Sequence, residues 1–335
     1  MSYNCILCQS NNLVFKIYPR DSSEKKIYEC QNCNLVQLHP RIEIVREIKE
    51  NGELDYQDKN RITTTNDLNF NKNEEYTFNN NVTGEDKEIN DRMTHVIEGD
   101  KYRFLKHFQK VLDKYNFKKE GLDILDIGCG YGYWCHTINE NYNYNVTGVD
   151  LNANKVLYGK KTLNLNFEYI IEKIEDEDFI KKNEGKFDII TNWHVIEHVY
   201  DPILFITNIM RLLKDNGIFL FELPNEDDEL INLVPEYSKI VHFQDHVNYF
   251  NPKTIDLLFE KCNIKKENYN IEGCQRYGFY NYIDWIRFGV KNKVLSDDYI
   301  NINLNPEPRS QIEKLWIEYR EKSLNSDTMV GIIKK

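Results

Sequence analysis

A surplus of positive charge is missing from this chain. Its 43 Lys and Arg are outnumbered by 54 Asp and Glu, a formal charge of −11. That balance would repel a phosphate backbone and leaves no general basic footprint, which argues against nucleic acid as a partner. Also missing is any apolar run of about 18 residues, the length a helix needs to span a bilayer. The N-terminus has no basic segment leading into an apolar stretch and a small-residue cleavage site. No membrane association and a cytoplasmic location are therefore expected. Eight Cys in 335 residues, four of them in two close pairs, suit metal ligation in a reducing compartment better than a disulfide framework. The length allows one large domain with appendages, as a monomer or homodimer.

What is present begins with those pairs. Cys5-x-x-Cys8 and Cys30-x-x-Cys33 are separated by 21 residues, slightly more than the usual gap of about 15–20. Each pair can place two thiolates about one tetrahedral ion, and Zn2+ takes four thiolates without redox chemistry. A segment this short has too little apolar area to fold unless a metal staples it. Four Cys ligands close the shell, whereas catalytic zinc keeps a position open, so the expected role is structural or substrate-docking. Two alternatives stay open: four unligated thiols in an ordinary hairpin, and His39 as a spare ligand. Four Lys and Arg against three Asp and Glu in residues 1–40 give this ribbon no basic face. Cys33 to Pro40 reads as a strand stopped by proline. Residues 41–94, polar and Asn-rich, are expected to be a partly mobile linker and helical segment.

From Arg92 onward, Phe104, Leu105, Phe108, Val111, Leu112 and Tyr115 recur at helical spacing. Leu122 to Trp134 then reads as an apolar strand, a glycine turn and a helix start. Gly128, Gly130 and Gly132 permit positive φ and a close approach of a ligand to the backbone. A dinucleotide fingerprint would put its third glycine at position 133, where Tyr133 stands, and Asp126 opposes a pyrophosphate. A sulfonium cofactor bearing an ammonium group reverses that objection, because a carboxylate beside the turn can take the amino group in a charge-assisted hydrogen bond. Asp150 ends the next strand about 20 residues after the turn, placed to accept both ribose hydroxyls.

The run Asp126-Ile-Gly-Cys-Gly-Tyr-Gly132, with Asp150 closing the second strand, resembles the class I S-adenosylmethionine-dependent methyltransferases over about residues 95–335. The resemblance implies a Rossmann-like α/β sheet, S-adenosylmethionine as cofactor, the glycine turn beneath the methionine moiety and Asp150 on the ribose. The expected cofactor residues are Asp126, Gly128, Gly130, Tyr131, Gly132, Asp150 and Leu151. Asn192, Trp193 and His194 join them from the C-terminal end of the fourth strand, where an open α/β sheet presents its ligand crevice.

Residues 166–171 read as the third strand. The acidic stretch Glu172 to Asp178 is either a helix start near the adenine or a solvated charged face. Lys186 to Trp193 is the fourth strand. Asp201-Pro202 opens a helix filled by Ile203 to Leu213 and closed by Gly217, before the strand Ile218 to Leu223. A capped helix over 251–261, a strand near 267–274 and a final strand over 327–334 complete an alternating pattern that fits a doubly wound sheet. Residues 275–325 are an aromatic insertion, serving either as a stacking surface for an acceptor or as the core of a small helical cap.

Methyl transfer from a sulfonium is an in-line displacement, so the chain must align the nucleophile and remove its proton. Trp193 to Val199 offers His194, Glu197 and His198, resembling the Glu-His element of small-molecule members of the family. His242 to Phe250 offers His246 and Tyr249, resembling the His-x-x-Tyr-Phe stretch of bacterial sugar methyltransferases. Gln244-Asp245-His246 keeps only the last histidine of that group's His-Glu-His. Any one histidine alone reads equally as a core residue, so the expectation rests on the group His198, His246, Glu197 and Tyr249. Its predicted use is methyl transfer to a hydroxyl, or less readily a carbon, of a nucleotide-linked or surface-polysaccharide sugar. The alternatives are a quinone-like or other small metabolite, rRNA, or a catalytically inactive binding module. The expected order is ribbon 1–40, linker 41–94, core 95–274, cap insertion 275–325 and last core strand 326–335.

Overall fold

The computed structural model describes residues 3–41, 46–48, 54–56, 100–118, 120–161, 164–289 and 306–335. The chain divides into two compact units: Met1–Ile42 with Asn192–Arg211 and Asp215–Lys335, and Glu43–Thr191 with Leu212–Lys214.

The first unit begins with three strands, β1 (Leu13–Ile17), β2 (Lys26–Cys30) and β3 (Val36–His39), paired antiparallel in sequence. The two Cys knuckles are built alike. Gln9 donates its backbone N–H to the Cys5 carbonyl at 2.9 Å and Asn34 donates to Cys30 at 2.8 Å. Both closing residues are left-handed, at φ 61° and 64°, a conformation Asn tolerates better than most residues.

In the second unit, β4 (Arg46–Ile48) and β5 (Leu54–Tyr56) pair antiparallel. Where the expected linker is described it thus holds two short strands; the rest of that expectation falls outside the described residues. Helix α1 covers 100–114, as the apolar spacing predicts. Its Phe108 is fully buried, with ring centroids 5.5 Å from those of both Trp134 and Tyr142. Then follow β6 (Glu120–Ile127), α2 (Tyr133–Asn141), β7 (Asn143–Val149), α3 (Ala153–Lys161), β8 (Glu168–Ile170), α4 (Glu177–Asn183) and β9 (Phe187–Trp193). The strands lie in the order β9-β6-β7-β8, with β6, β7 and β8 parallel. Parallel neighbours need a crossover, which α2 and α3 supply. The acidic stretch does open a helix: Asp176 caps α4 by accepting from the Asp178 N–H at 2.8 Å.

The remainder of the first unit runs α5 (Pro202–Leu212), β10 (Leu213–Pro224), α6 (Glu229–Leu233), α7 (Pro235–Val241), β11 (Asn248–Tyr249), α8 (Pro252–Lys261), β12 (Tyr269–Cys274), α9 (Phe279–Phe288), α10 (Pro306–Lys322) and β13 (Thr328–Lys334). Asp201 caps α5 through the Ile203 and Leu204 N–H groups. Gly217 does not close that helix. The strand begins at Leu213 and Gly217 lies within it, because Leu213 and Ile218 to Leu223 are all buried and their burial in the sheet outweighs the glycine as a stop signal. β13 pairs antiparallel with β10 and β12, and its first six residues are buried, as a central strand requires. Parallel pairs in one unit and antiparallel pairs in the other make the sheet mixed, a Rossmann-like α/β fold.

β11 pairs with β3, Asn248 opposite Gln37 and Tyr249 opposite Val36, so the ribbon sheet has four strands in the order β1-β2-β3-β11. Ile27, Val36, Leu38, Val247 and Tyr249 form its core. The insertion is helical where described. Its Tyr282 lies 5.2 Å from its Trp316, and its Trp285 packs outward on Tyr237 of α7 at 5.1 Å. This is the helical-cap alternative rather than a free stacking surface for those residues.

Candidate functional site

The cofactor-type turn lies wholly in the unit of β6 to β8. Gly128, Gly130 and Gly132 all have positive φ, at 75°, 55° and 82°. Gly132 has a second constraint, because a Cβ there would sit 2.0 Å from the Phe167 ring, while at Gly130 it would meet nothing within 4 Å. One glycine is closed beneath by packing and the other opens onto free space. The Gly130 N–H donates to Asp150 Oδ2 at 2.7 Å, and Asp150 Oδ1 accepts from Asn152 N–H, also at 2.7 Å. The structure thus brings Asp150 onto the turn itself, with one lone pair of each oxygen used.

Asp126 is buried and turned inward. Its Oδ1 accepts from the Thr191 hydroxyl at 2.7 Å and its Oδ2 faces the Cys135 thiol at 3.7 Å, while Trp134 Nε1 donates to Thr191 at 3.1 Å. Burial pushes its carboxyl up to about 7, against the pull of the Thr191 and Cys135 bonds and with a further push from the Asp150 charge. Both Asp126 oxygens thus face partners within the unit, Thr191 and Cys135, and burial favours the neutral acid. Tyr131 lies between the open glycine and Gly132, its ring 6.3 Å from Tyr133, and Leu151 follows Asp150.

In the other unit the histidines gather around one acid. Glu197 is 2% exposed and neither of its carboxylate oxygens makes a hydrogen bond of good geometry. Around Oε1 stand His194 Nδ1 at 3.4 Å, His246 Nε2 at 3.9 Å and His198 Nε2 at 4.0 Å. Burial would raise the Glu197 carboxyl, but the flanking histidines, His194 foremost, outweigh it and hold it at about 2. His194, which follows Asn192 and Trp193 at the end of β9, is left-handed at φ 57°, a strain typical of functional positions. Its Nε2 lies 2.9 Å from Glu222. Burial works against its charge, yet Glu197 and Glu222 lift it to about 9, so it is a cation at neutral pH rather than a base.

His198 and His246 differ from it. His198 Nδ1 faces the Asp245 carbonyl at 2.7 Å, so Nδ1 carries a hydrogen and donates, and Nε2 is the ring nitrogen turned toward Glu197. His246 has been pulled well below its ordinary range by burial and by His198 and is neutral; the two rings stand 4.8 Å apart, edge to face. Glu197, His198 and His246 keep one ligand-type atom each within 4.8 Å of one another. Tyr249 is buried with its ring 5.7 Å from that of His246, and its hydroxyl is turned to the Phe243 carbonyl, to which it donates at 2.8 Å. His242 is also diverted, lying 3.1 Å from Glu226, which pairs with Lys16 of β1 at 2.9 Å.

The four ribbon thiols converge. Cys5 and Cys33 sulfurs are 3.5 Å apart, as are Cys8 and Cys30, and all four lie within 4.8 Å of one another. Zn–S bonds of about 2.3 Å in a tetrahedron place sulfurs about 3.8 Å apart, so the cluster fits a zinc ribbon. The Cys33 bond pulls the Cys5 thiol down to about 5. His39 is no ligand here; it stacks on Tyr3 at 4.4 Å.

Sequence reasoning missed Glu222, Arg276 and Arg41. Glu222 is fully buried in β10, and an acid inside the otherwise apolar run Ile218 to Leu223 is a signal in itself. Arg276 pairs with Asp327 at 3.2 Å and places Nη1 3.4 Å from His194 Nε2.

A family model described as a methyltransferase domain matches residues 98–267. Among similar proteins, the ubiquinone biosynthesis O-methyltransferase of Hydrogenovibrio crunogenus is 27% identical over 183 residues, 51% of this chain and 70% of that protein. N-methyltransferase 4 of Papaver somniferum is 33% identical over 156 residues, 39% of this chain and 43% of that protein. A solved SAM-dependent methyltransferase from Archaeoglobus fulgidus aligns at a TM-score of 0.42 and 17% identity, covering 68% of this chain and 93% of that one.

Proposed function

The chain belongs to the methyltransferase domain family and is an S-adenosylmethionine-dependent enzyme by that membership; from this premise we propose that it methylates a hydroxyl oxygen of a small molecule. The observation that carries the reading is the group of His198 and His246 about the buried, ionised Glu197. Bound S-adenosylmethionine supplies an electrophilic methyl carbon. The open Gly130 face and the Asp150 carboxylate would hold it, and a bound cation would favour ionisation of Asp126 behind the turn.

His198 is the base in this reading. Its Nδ1–H is fixed on Asp245, so Nε2 accepts the hydroxyl proton as the oxygen attacks, and Glu197 stabilises the imidazolium that forms. His246, kept neutral, adds no competing charge. His194 keeps Glu197 ionised rather than taking part in proton transfer.

Two acceptor classes follow from different observations. The relative named for ubiquinone biosynthesis O-methylation supports a phenolic, quinone-like hydroxyl. The His246-Val-Asn-Tyr249-Phe250 stretch, which resembles that of sugar methyltransferases, supports a nucleotide-linked or polysaccharide sugar. The test is mass spectrometry of a panel of catechols and nucleotide sugars incubated with methyl-labelled cofactor. Label on one class assigns the acceptor. No label on either class, with cofactor binding intact, overturns the small-molecule hydroxyl.

A further inference from the structure

Arg41 closes the ribbon, directly after β3 and Pro40, and its guanidinium is mostly buried, with no carboxylate among its hydrogen-bond partners in the described residues. It donates to backbone carbonyls instead: Nη1 to Val247 at 3.3 Å, and Nη2 to Tyr200 at 2.5 Å and, weakly, to Val199 at 3.5 Å. Nη2 also donates to the Asn248 side-chain oxygen at 2.9 Å. Asn248 in turn donates its Nδ2 to the Val199 carbonyl at 2.8 Å. Val199 and Tyr200 follow His198, and Val247 and Asn248 follow His246. One planar group therefore ties together the two backbone segments that carry the paired imidazoles.

The surroundings make this an unfavourable arrangement to keep for packing alone. Burial pulls the Arg41 guanidinium down to about 10, against the opposing pull of Tyr200 and Asp201. Hydrogen bonds from a charged donor to carbonyls are strong and directional, and the fork of Arg meets several acceptors at once where Lys meets them as a point. Two more bonds run alongside: the Val247 N–H donates to the Glu197 carbonyl at 2.9 Å, and the Leu38 N–H of β3 donates to the Val247 carbonyl at 3.1 Å.

We infer that Arg41 is a positioning residue for the catalytic pair: through it the four-cysteine ribbon sets the spacing of His198 and His246 about Glu197. The ribbon is then part of the catalytic apparatus and not an appended module. The inference rests on the reading of His198 as the base, but the geometry it claims has a readout of its own.

Arg41→Ala and Arg41→Lys are compared with wild type by long-range 1H–15N spectra of the imidazole rings and by kcat and KM for the labelled acceptor. Arg41→Ala is expected to shift the His198 and His246 ring signals. It should lower kcat on the order of tenfold, the scale of a small misalignment, while zinc content and cofactor Kd stay at wild-type values. Arg41→Lys, which keeps the charge and loses the fork, is expected to show an intermediate shift, and serves if the Ala variant does not fold. Added methylguanidinium should restore part of the Arg41→Ala rate. Unmoved His198 and His246 signals in a folded variant would overturn the inference, even if its thermal stability fell. A wild type that methylates no acceptor would instead sink the proposed function, and the ring signals would still decide the role of Arg41.

Discussion

Lys16 Nζ lies 2.9 Å from the buried carboxylate of Glu226, which His242 approaches from the other side at 3.1 Å. Lys16 sits in β1 of the ribbon and Glu226 just after β10, so a residue of the N-terminal segment neutralises an acid set deep in its unit. Lys16→Met would leave Glu226 with His242 as its remaining close partner. We expect a loss of about 1–3 kcal/mol, less than a fully enclosed pair would show because Lys16 keeps some contact with water. Adding Glu226→Gln should recover part of it, and urea melts of the two single variants and the double variant measure that coupling.

The ribbon should bind roughly one zinc per chain, held by Cys5, Cys8, Cys30 and Cys33. Cys8→Ser or prolonged chelation should remove that ion and lower the melting temperature, because β3 pairs with β11 and shares a core with Val247 and Tyr249. Elemental analysis counts the ion. A preparation with no zinc and an unchanged melt after chelation would leave the four thiols as an ordinary hairpin.

Gly130 and Gly132 separate backbone conformation from packing. Gly130→Ala carries only the strain of a left-handed residue, about 1–2 kcal/mol, since its Cβ meets open space. Gly132→Ala carries the same strain and also drives a Cβ into the Phe167 ring. It should be the more destabilised variant by at least about 1 kcal/mol. Equal melts would show that Phe167 moves aside freely.

The turn is legible in the sequence because glycine spacing and the acids at Asp126 and Asp150 are local features, and the strands and helices around them follow apolar periodicity. The direction of Asp126 is not legible: Thr191 and Cys135, which hold it inward, are 65 and 9 residues away, and no local pattern marks either as a partner. The placement of Tyr249, with its hydroxyl on the Phe243 carbonyl, is not legible for a related reason. Its neighbourhood resembles an acceptor-contacting stretch, yet the two-residue strand it belongs to is claimed by the ribbon. Arg41 and Glu226 act at a sequence distance of about 200 residues from their partners, which only the fold reveals.

Asp126 makes a pH-dependent contribution whose sign is fixed. Its folded value near 7 lies above the ordinary carboxylate range, so the neutral form is favoured by folding. The stability it confers is complete below about pH 4 and is lost as the pH rises through 7. Asp126→Asn, which stays neutral, should therefore gain on wild type in thermal melts between pH 5 and pH 8. S-adenosylmethionine, a cation, should narrow that gap at pH 8 by favouring the ionised acid; no narrowing would detach Asp126 from cofactor binding.

His194 has the opposite charge type and the same direction of loss. Its folded value near 9 lies above the ordinary 6.5, so its pairing with Glu197 and Glu222 contributes fully below about pH 6.5 and fades as the pH rises through 9. His194→Gln keeps a donor of similar reach and removes the charge. The variant should be less stable than wild type at pH 6 and approach it by pH 9.5. Its acid Glu197, deprived of its nearest cation, should titrate higher, and the acid limb of the turnover profile should move up with it. An acid limb that stays in place while the stability gap closes would show that His194 serves the fold and not the ionisation of Glu197.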